Sequence, residues 1–164
     1  MPVTTFDQLP DHARLWVFAS ERPLAPAEAD RLLADVDAFL ATWHAHQVPL
    51  TAARDWRHDR FLLVGVDEQA AGVSGCSIDA LVRTMKTLGQ ELGVGLLDHG
   101  AVHYRDNDQV RRLSRDAFAD AAARGDVSPA TVVYDNTVTS VGALRAGAWE
   151  RPAAASWHQR AFFA

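Results

Sequence analysis

The chain of 164 residues has a single cysteine, Cys76, in the string Ser74-Gly75-Cys76-Ser77-Ile78-Asp79. A thiol attacks as the thiolate. That form is favoured where backbone N–H groups and the positive end of a helix dipole meet it. The string offers this setting. Ser74 and Ser77 are N-cap residue types, whose hydroxyl oxygen takes one of the orphan N–H groups at a helix start. Gly75 lets the backbone turn tightly ahead of the helix. The same N–H groups also suit a carboxylate or a phosphate. A third reading is packing, because unpaired cysteine is often buried and fills space as a small hydrophobe. Packing is the favoured reading for Cys76 itself, and any functional pocket is expected to open beside it.

A thiol enzyme also needs a base. Of seven histidines, His58 and His99 fall next to expected strand ends, where strand ends and helix N-termini of one sheet converge. They are the candidate bases for Cys76 as nucleophile, and Asp59, Asp67, Asp79 and Asp98 are available to orient them. The candidate ligand-binding set is Ser74, Gly75, Cys76, Ser77 and Asp79 with Asp59 and Arg60. No metal site is expected. His44 and His46 share a face only on an extended segment. His99 and His103 have a helical ligand spacing, but the His-Glu-x-x-His glutamate is missing, as are paired Cys/His spacings. No cofactor is expected.

The elements that would position these residues follow from periodicity. Leu15 to Ala19 reads as a buried strand. Residues 26–46 carry a helical stripe of Ala29, Leu32, Leu33, Val36, Phe39, Leu40 and Trp43, opened by Pro26 and closed before Pro49. Residues 50–57 read as extended, and Phe61 to Val66 as a second buried strand. A helix then carries Ile78, Leu81, Val82, Met85, Leu88 and Leu92 on one side and stops at Gly93. Strands follow at 101–104, 109–113 and 131–134, with another expected over 137–144. A short helix capped by Ser114 runs toward Gly125. Trp149 and Trp157 are expected to anchor the tail.

The order through residue 104 is that of a ferredoxin-like βαββαβ core, an antiparallel sheet with both helices on one face. The fold class is thus α+β, with residues 1–104 as the core and 105–164 as an α+β extension packed into one compact domain. A net charge of −5 from 16 basic and 21 acidic residues argues against nucleic acid held by phosphate neutralisation. The N-terminus lacks a basic-then-apolar leader, and no apolar run approaches a membrane span, so a cytoplasmic location is expected. A homodimer is compatible with the sequence.

Several stretches resemble one family of small bacterial proteins often labelled "ABC transporter ATPase". They are Leu15-Trp16-Val17-Phe18 with Arg22-Pro23-Leu24, Trp43-His44-Ala45-His46 with Pro49-Leu50, Asp59-Arg60-Phe61, Val66-Asp67-Glu68, Ser74 to Asp79, and the tail Pro152 and Ser156-Trp157. The resemblance spans most of the chain and implies a shared fold without an assigned catalytic role. The label itself conflicts with the residues. No Gly-x-x-x-x-Gly-Lys-[Ser/Thr] loop exists here to hold phosphates, so hydrolysis by the P-loop route is rejected. The second half, through Gly125-Asp126-Val127, Thr131-x-Val133 and a later tryptophan, resembles GYF-like interaction modules without their Gly-Tyr-Phe string. The leading expectation is a small-ligand-binding or regulatory domain. The alternatives are a thiol-dependent enzyme built on Cys76 and an assembly protein docking a partner through its tail.

Overall fold

The computed structural model describes residues 4–69 and 72–164. The chain divides into two compact units. One runs to Asp98 and includes Thr139–Gly142. The other comprises His99–Val138 and Ala143–Ala164.

The first unit holds β1 (Arg14–Ala19), α1 (Pro26–Thr42), the short strands β2 (His44–Ala45) and β3 (Val48–Pro49), β4 (Thr51–Arg57), β5 (Phe61–Asp67) and α2 (Gly75–Leu92). Its main sheet has the order β1-β5-β4, antiparallel throughout. β5 lies in the middle and is covered on both sides, which is why it reads as a continuous apolar run. Leu62, Val64 and Val66 share one core with Leu32, Val36 and Leu40 of α1 and Leu81, Met85 and Leu88 of α2. Phe61, Leu63 and Gly65 fall on the opposite face. There Leu9, Phe6 and Val141 press so close that a Cβ at Gly65 would lie 2.6 Å from Leu9 Cδ1.

α1 begins where the sequence predicts, with Pro26 in the first turn. Glu28 accepts from the Ala25 N–H at 2.9 Å and takes a fork from Arg22 at 2.8 and 2.7 Å. The Arg22 fork and that N–H hold its carboxyl down at about 2. The helix stops at Thr42, short of the expected residue 46, because Trp43 adopts extended geometry. Residues 44–49 then fold back as a hairpin, His44 opposite Pro49 and Ala45 opposite Val48. Its two turn residues, His46 and Gln47, both have positive φ, 51° and 67°, as a type I′ turn demands.

The complete ferredoxin-like sheet does not form. The strand expected as its fourth member, 101–104, pairs elsewhere. The edge of β1 is instead bridged by Ser140 opposite Arg14, with Leu15 N–H donating to Thr139 O and Val141 N–H to Ala13 O, both at 2.9 Å. β6 thus belongs to the second compact unit, which begins at His99.

The second unit contains β6 (Ala101–Asp106), β7 (Gln109–Ser114), α3 (Arg115–Arg124), β8 (Val132–Tyr134), β9 (Glu150–Pro152) and a final short helix (His158–Phe162). A five-residue helix, α4 (Val141–Arg145), runs across the division, so the final helix is α5. The sheet order is β7-β6-β8-β9, again antiparallel. Phe118 of α3 is fully buried and packs against Tyr104 and Phe162, with ring centroids 5.5 and 4.9 Å away. Ser114 Oγ caps α3 by accepting from Ala117 N–H at 3.1 Å, and Gly125 closes it in the left-handed region, both as the sequence predicts.

The strand expected over 137–144 is reduced to the single bridge at Ser140 before α4 starts. Asp135 explains the break. Its carboxylate accepts from the Thr137 N–H at 3.1 Å and from the Thr137 hydroxyl, a local turn that competes with extension. The tail is built into this unit. Trp149 is buried, its ring packs tilted against Tyr134 at 5.0 Å, and it donates from Nε1 to Asn136 Oδ1 at 2.9 Å. Among the described residues no helix is long and apolar enough to cross a membrane.

Candidate functional site

The start of α2 is closed by a reciprocal pair of serines. Ser74 Oγ accepts from Ser77 N–H at 3.1 Å, and Ser77 Oγ accepts from Ser74 N–H at 2.7 Å. This is a capping box with serine standing where Glu or Gln usually does. Ser77 is buried, and its carbonyl accepts from the Trp43 indole N–H at 2.9 Å. Of the two serines offered as caps, Ser74 is the N-cap, whereas Ser77 ties the helix to the end of α1. Gly75 has open space where a Cβ would stand and φ outside the left-handed region, so no tight bend requires it. Replacing Ser74 with alanine is expected to cost about 1 kcal/mol, read by urea unfolding.

Cys76 is exposed, which overturns the packing reading. The reason is the rotation of α2. Its buried face runs through Ser77, Leu81, Met85 and Leu88, at steps of four, four and three. Cys76 lies one residue, about 100°, away from that stripe. The same rotation leaves Val82, which the sequence places on the apolar side, 40% exposed.

The thiol borders a cavity of about 310 Å³. Its walls include Phe39, Trp43, His44, His46, Ser74 and Cys76. Trp43 stands between Trp16 and Phe39, with centroids 6.0 and 5.6 Å away, and is itself buried. His44 Nδ1 lies 3.0 Å from Thr42 O. A carbonyl only accepts, so Nδ1 carries the proton in this contact and the neutral ring keeps its lone pair on Nε2. Asp79 is exposed on the next part of the turn and does not line the cavity.

The other expected site residues lie elsewhere. His58, Asp59 and Arg60 connect β4 to β5 at the Phe61 end, whereas α2 follows the Asp67 end. Seven residues of strand separate the two by about 20 Å. His58 and Asp59 have positive φ, 57° and 55°. Asp59 O accepts from Leu24 N–H at 2.8 Å, and Arg60 O from Ser20 N–H at 2.9 Å. Arg60 is buried and reaches Glu21 O from Nη1 at 3.5 Å. Asp59 and Arg60 thus pin the β1–α1 connection, and the candidate set divides. His99 opens the second unit. The imidazoles beside Cys76 are His44 and His46. As bases the sequence ranks them behind His58 and His99, and the signal for them is a His-x-His pair on a segment ended by proline.

A second cavity of about 520 Å³ lies at the far end of α2, bounded by Glu21, Met85, Lys86, Gly93, Leu97 and Asp98 among others. Gly93 takes φ 70° as the helix stop, with Val94 N–H returning to Gly89 O at 3.0 Å. The 18 residues of α2 put the two cavities at helix ends about 27 Å apart. Among the described residues, no group of three or more His, Cys, Asp or Glu could hold a metal ion.

Comparison with known families, with curated proteins and with solved structures finds no match.

Proposed function

We propose that the first unit binds a small, largely apolar molecule in the cavity beside Cys76, with the polar end of that molecule at the Ser74–Cys76 backbone and the hairpin imidazoles. The observation that carries this is an exposed thiol opening onto an aromatic-walled cavity of about 310 Å³. That volume is within the range of small-molecule sites, which pair apolar walls with a few polar groups. The reading makes the chain a ligand-binding or regulatory domain and leaves P-loop ATP hydrolysis aside. For the fold, we read the first unit as a ferredoxin-like arrangement whose fourth strand position is taken by residues 139–141. A cytoplasmic location fits this reading.

The test uses anilinonaphthalene sulfonate, an apolar fluorophore with one anionic group. The expected result is saturable binding that slows iodoacetamide alkylation of Cys76. Ala80→Trp, which fills the cavity from α2, is expected to remain folded and lose both effects. Dye binding that leaves Cys76 alkylation unchanged, or that survives Ala80→Trp, would sink the reading.

A thiol-dependent enzyme is the second reading, favoured by the same shared cavity. It moves the base from His58 or His99 to His44 or His46. Alkylation at neutral pH should then be at least about tenfold faster in the folded than in the urea-unfolded protein. It should slow in His44→Ala or His46→Ala. Equal rates in folded and unfolded chains would remove the enzyme reading and leave the binding reading standing.

A further inference from the structure

The second unit carries a cavity of about 670 Å³ walled by Arg151, Ala155, Ser156, Trp157, Gln159 and Arg160, with Ala154 and Ala164 completing it. Among the described residues no acidic side chain lines it. Three polar atoms of its wall residues are shut off from solvent without a hydrogen-bond partner: Arg151 Nε, Trp157 Nε1 and Gln159 Oε1. Two of the three are N–H donors. A buried donor left unpaired costs the desolvation of that group, so such atoms call for an explanation.

The charges around them point the same way. The Arg115 guanidinium stands over the Trp157 ring, 5.0 Å from its centroid. Arg115 is also the first residue of α3, where the helix dipole already favours an anion. Neither Arg115 nor Arg160 has a carboxylate partner among the described residues. Among the described residues, Asp135 is the acid that pairs with these arginines. It meets Arg151 at a loose 3.5 Å and is otherwise occupied by Thr137. Three guanidinium groups stand against the engaged Asp135 carboxylate and the terminal carboxylate of Ala164 at the cavity wall, which leaves one positive charge in excess. The buried His158 imidazole sits in the same field: burial holds its pKa down, the Asp135 carboxylate opposes this, and the Arg115 and Arg151 charges add to it.

We propose that this cavity is a binding site for a small organic oxyanion, gripped by the Arg151 and Arg160 guanidinium groups and the Trp157 indole N–H, with Gln159 accepting from a hydroxyl or amino group of the same molecule. A guanidinium matches the planar fork of a carboxylate and the oxygens of a phosphate equally well in charge. The volume suits a metabolite-sized molecule. Alanine and tryptophan walls favour an organic body on the anion. This site is independent of the cavity beside Cys76.

The test follows the Trp157 indole N–H by nitrogen–proton correlation spectra of the full chain, assigned with Trp157→Phe. Inorganic phosphate, acetate, lactate and neutral acetamide are titrated at constant ionic strength, which removes general screening. A saturable shift with phosphate or with the carboxylates, and none with acetamide, is expected. The responding anion distinguishes the phosphate source from the carboxylate source, and a stronger response to lactate than to acetate marks the Gln159 contact. Arg160→Gln should weaken binding about tenfold. Arg124→Gln, which breaks an exposed pair with Asp126, should leave binding unchanged. Arg160 is exposed, so its variant is expected to keep the native spectrum. No shift, a shift that never saturates, or equal affinity in Arg160→Gln would overturn the proposal. So would binding of an acidic peptide alone.

Discussion

Trp43→Ala is expected to lower the stability of the first unit by about 3–5 kcal/mol, the range for truncating a buried aromatic. Trp43 sits 3% exposed at the point where α1, the β2–β3 hairpin and the start of α2 meet. Its ring is held between Trp16 and Phe39, and its N–H satisfies the Ser77 carbonyl of the first turn of α2. Alanine would leave a cavity beside a carbonyl that has lost its donor. Trp43→Phe separates the two losses. It restores most of the volume without the N–H, so a smaller cost of about 1–2 kcal/mol is expected. Urea unfolding followed by circular dichroism measures both. Cys76 alkylation adds a local reading, since loosening α2's start should change its rate before the global transition. An alanine variant within about 1 kcal/mol of the parent would show that the wall of the cavity beside Cys76 is not a fixed structure.

Trp43 also shows where the sequence was legible and where it was not. Its i, i+3, i+4 place in the stripe after Pro26 marked it as core, and it is core. The same stripe predicted four more residues of helix than exist. Periodicity reports which side chains are buried, not how the backbone leaves the helix. The exit is set by pairing between His44 and Pro49, a contact no local pattern announces. α2 was legible at both ends, at Ser74 and at Gly93, because caps are local chemistry. Its rotation was not. A stripe that included Val82 and left Ser77 out differs from the true face by one residue, and that one residue decides whether Cys76 is buried or exposed.

The sheet gives the matching lesson. Strands β1, β5 and β6 were visible as apolar runs and β4 as an extended segment, yet their sheet membership was not. β6 could have edged β1, as the ferredoxin-like order requires. It pairs instead with β7, one short turn away at Asn107, and with β8. Local pairing across a tight turn closes a small loop at little entropic cost. The place beside β1 goes to residues more than a hundred positions later. The candidate site divided for the same reason. Asp59 and Arg60 were grouped with Ser74–Asp79 by their polarity near strand ends, and β5 places them at its opposite ends.

In the second unit, stability is expected to fall by roughly 3 kcal/mol between about pH 6.5 and pH 4 through His158 alone. His158 is 1% exposed, its ring 3.9 Å from that of Trp157, with Nδ1 2.7 Å from Ser156 Oγ. Burial pushes its pKa down to about 4. Asp135 opposes the shift, and Arg115 and Arg151 reinforce it. The folded chain thus keeps the ring neutral where the unfolded chain protonates it near pH 6.5. Between those two values the unfolded state binds more protons, so stability rises with pH. The contribution is complete above about pH 6.5 and is lost as pH falls toward 4. Carboxylates titrating over the lower part of that window are controlled by His158→Gln, which removes the imidazole and keeps a polar side chain. That variant should be less stable at neutral pH, for want of the stack on Trp157, and should show a much flatter profile from pH 6.5 to 4.5. Urea midpoints measured across the window give the slope, and the imidazole carbon-bound proton shift gives the titration itself. A wild-type ring that titrates near its ordinary value, or a variant with an unchanged slope, would show that His158 does not resist protonation in the folded chain.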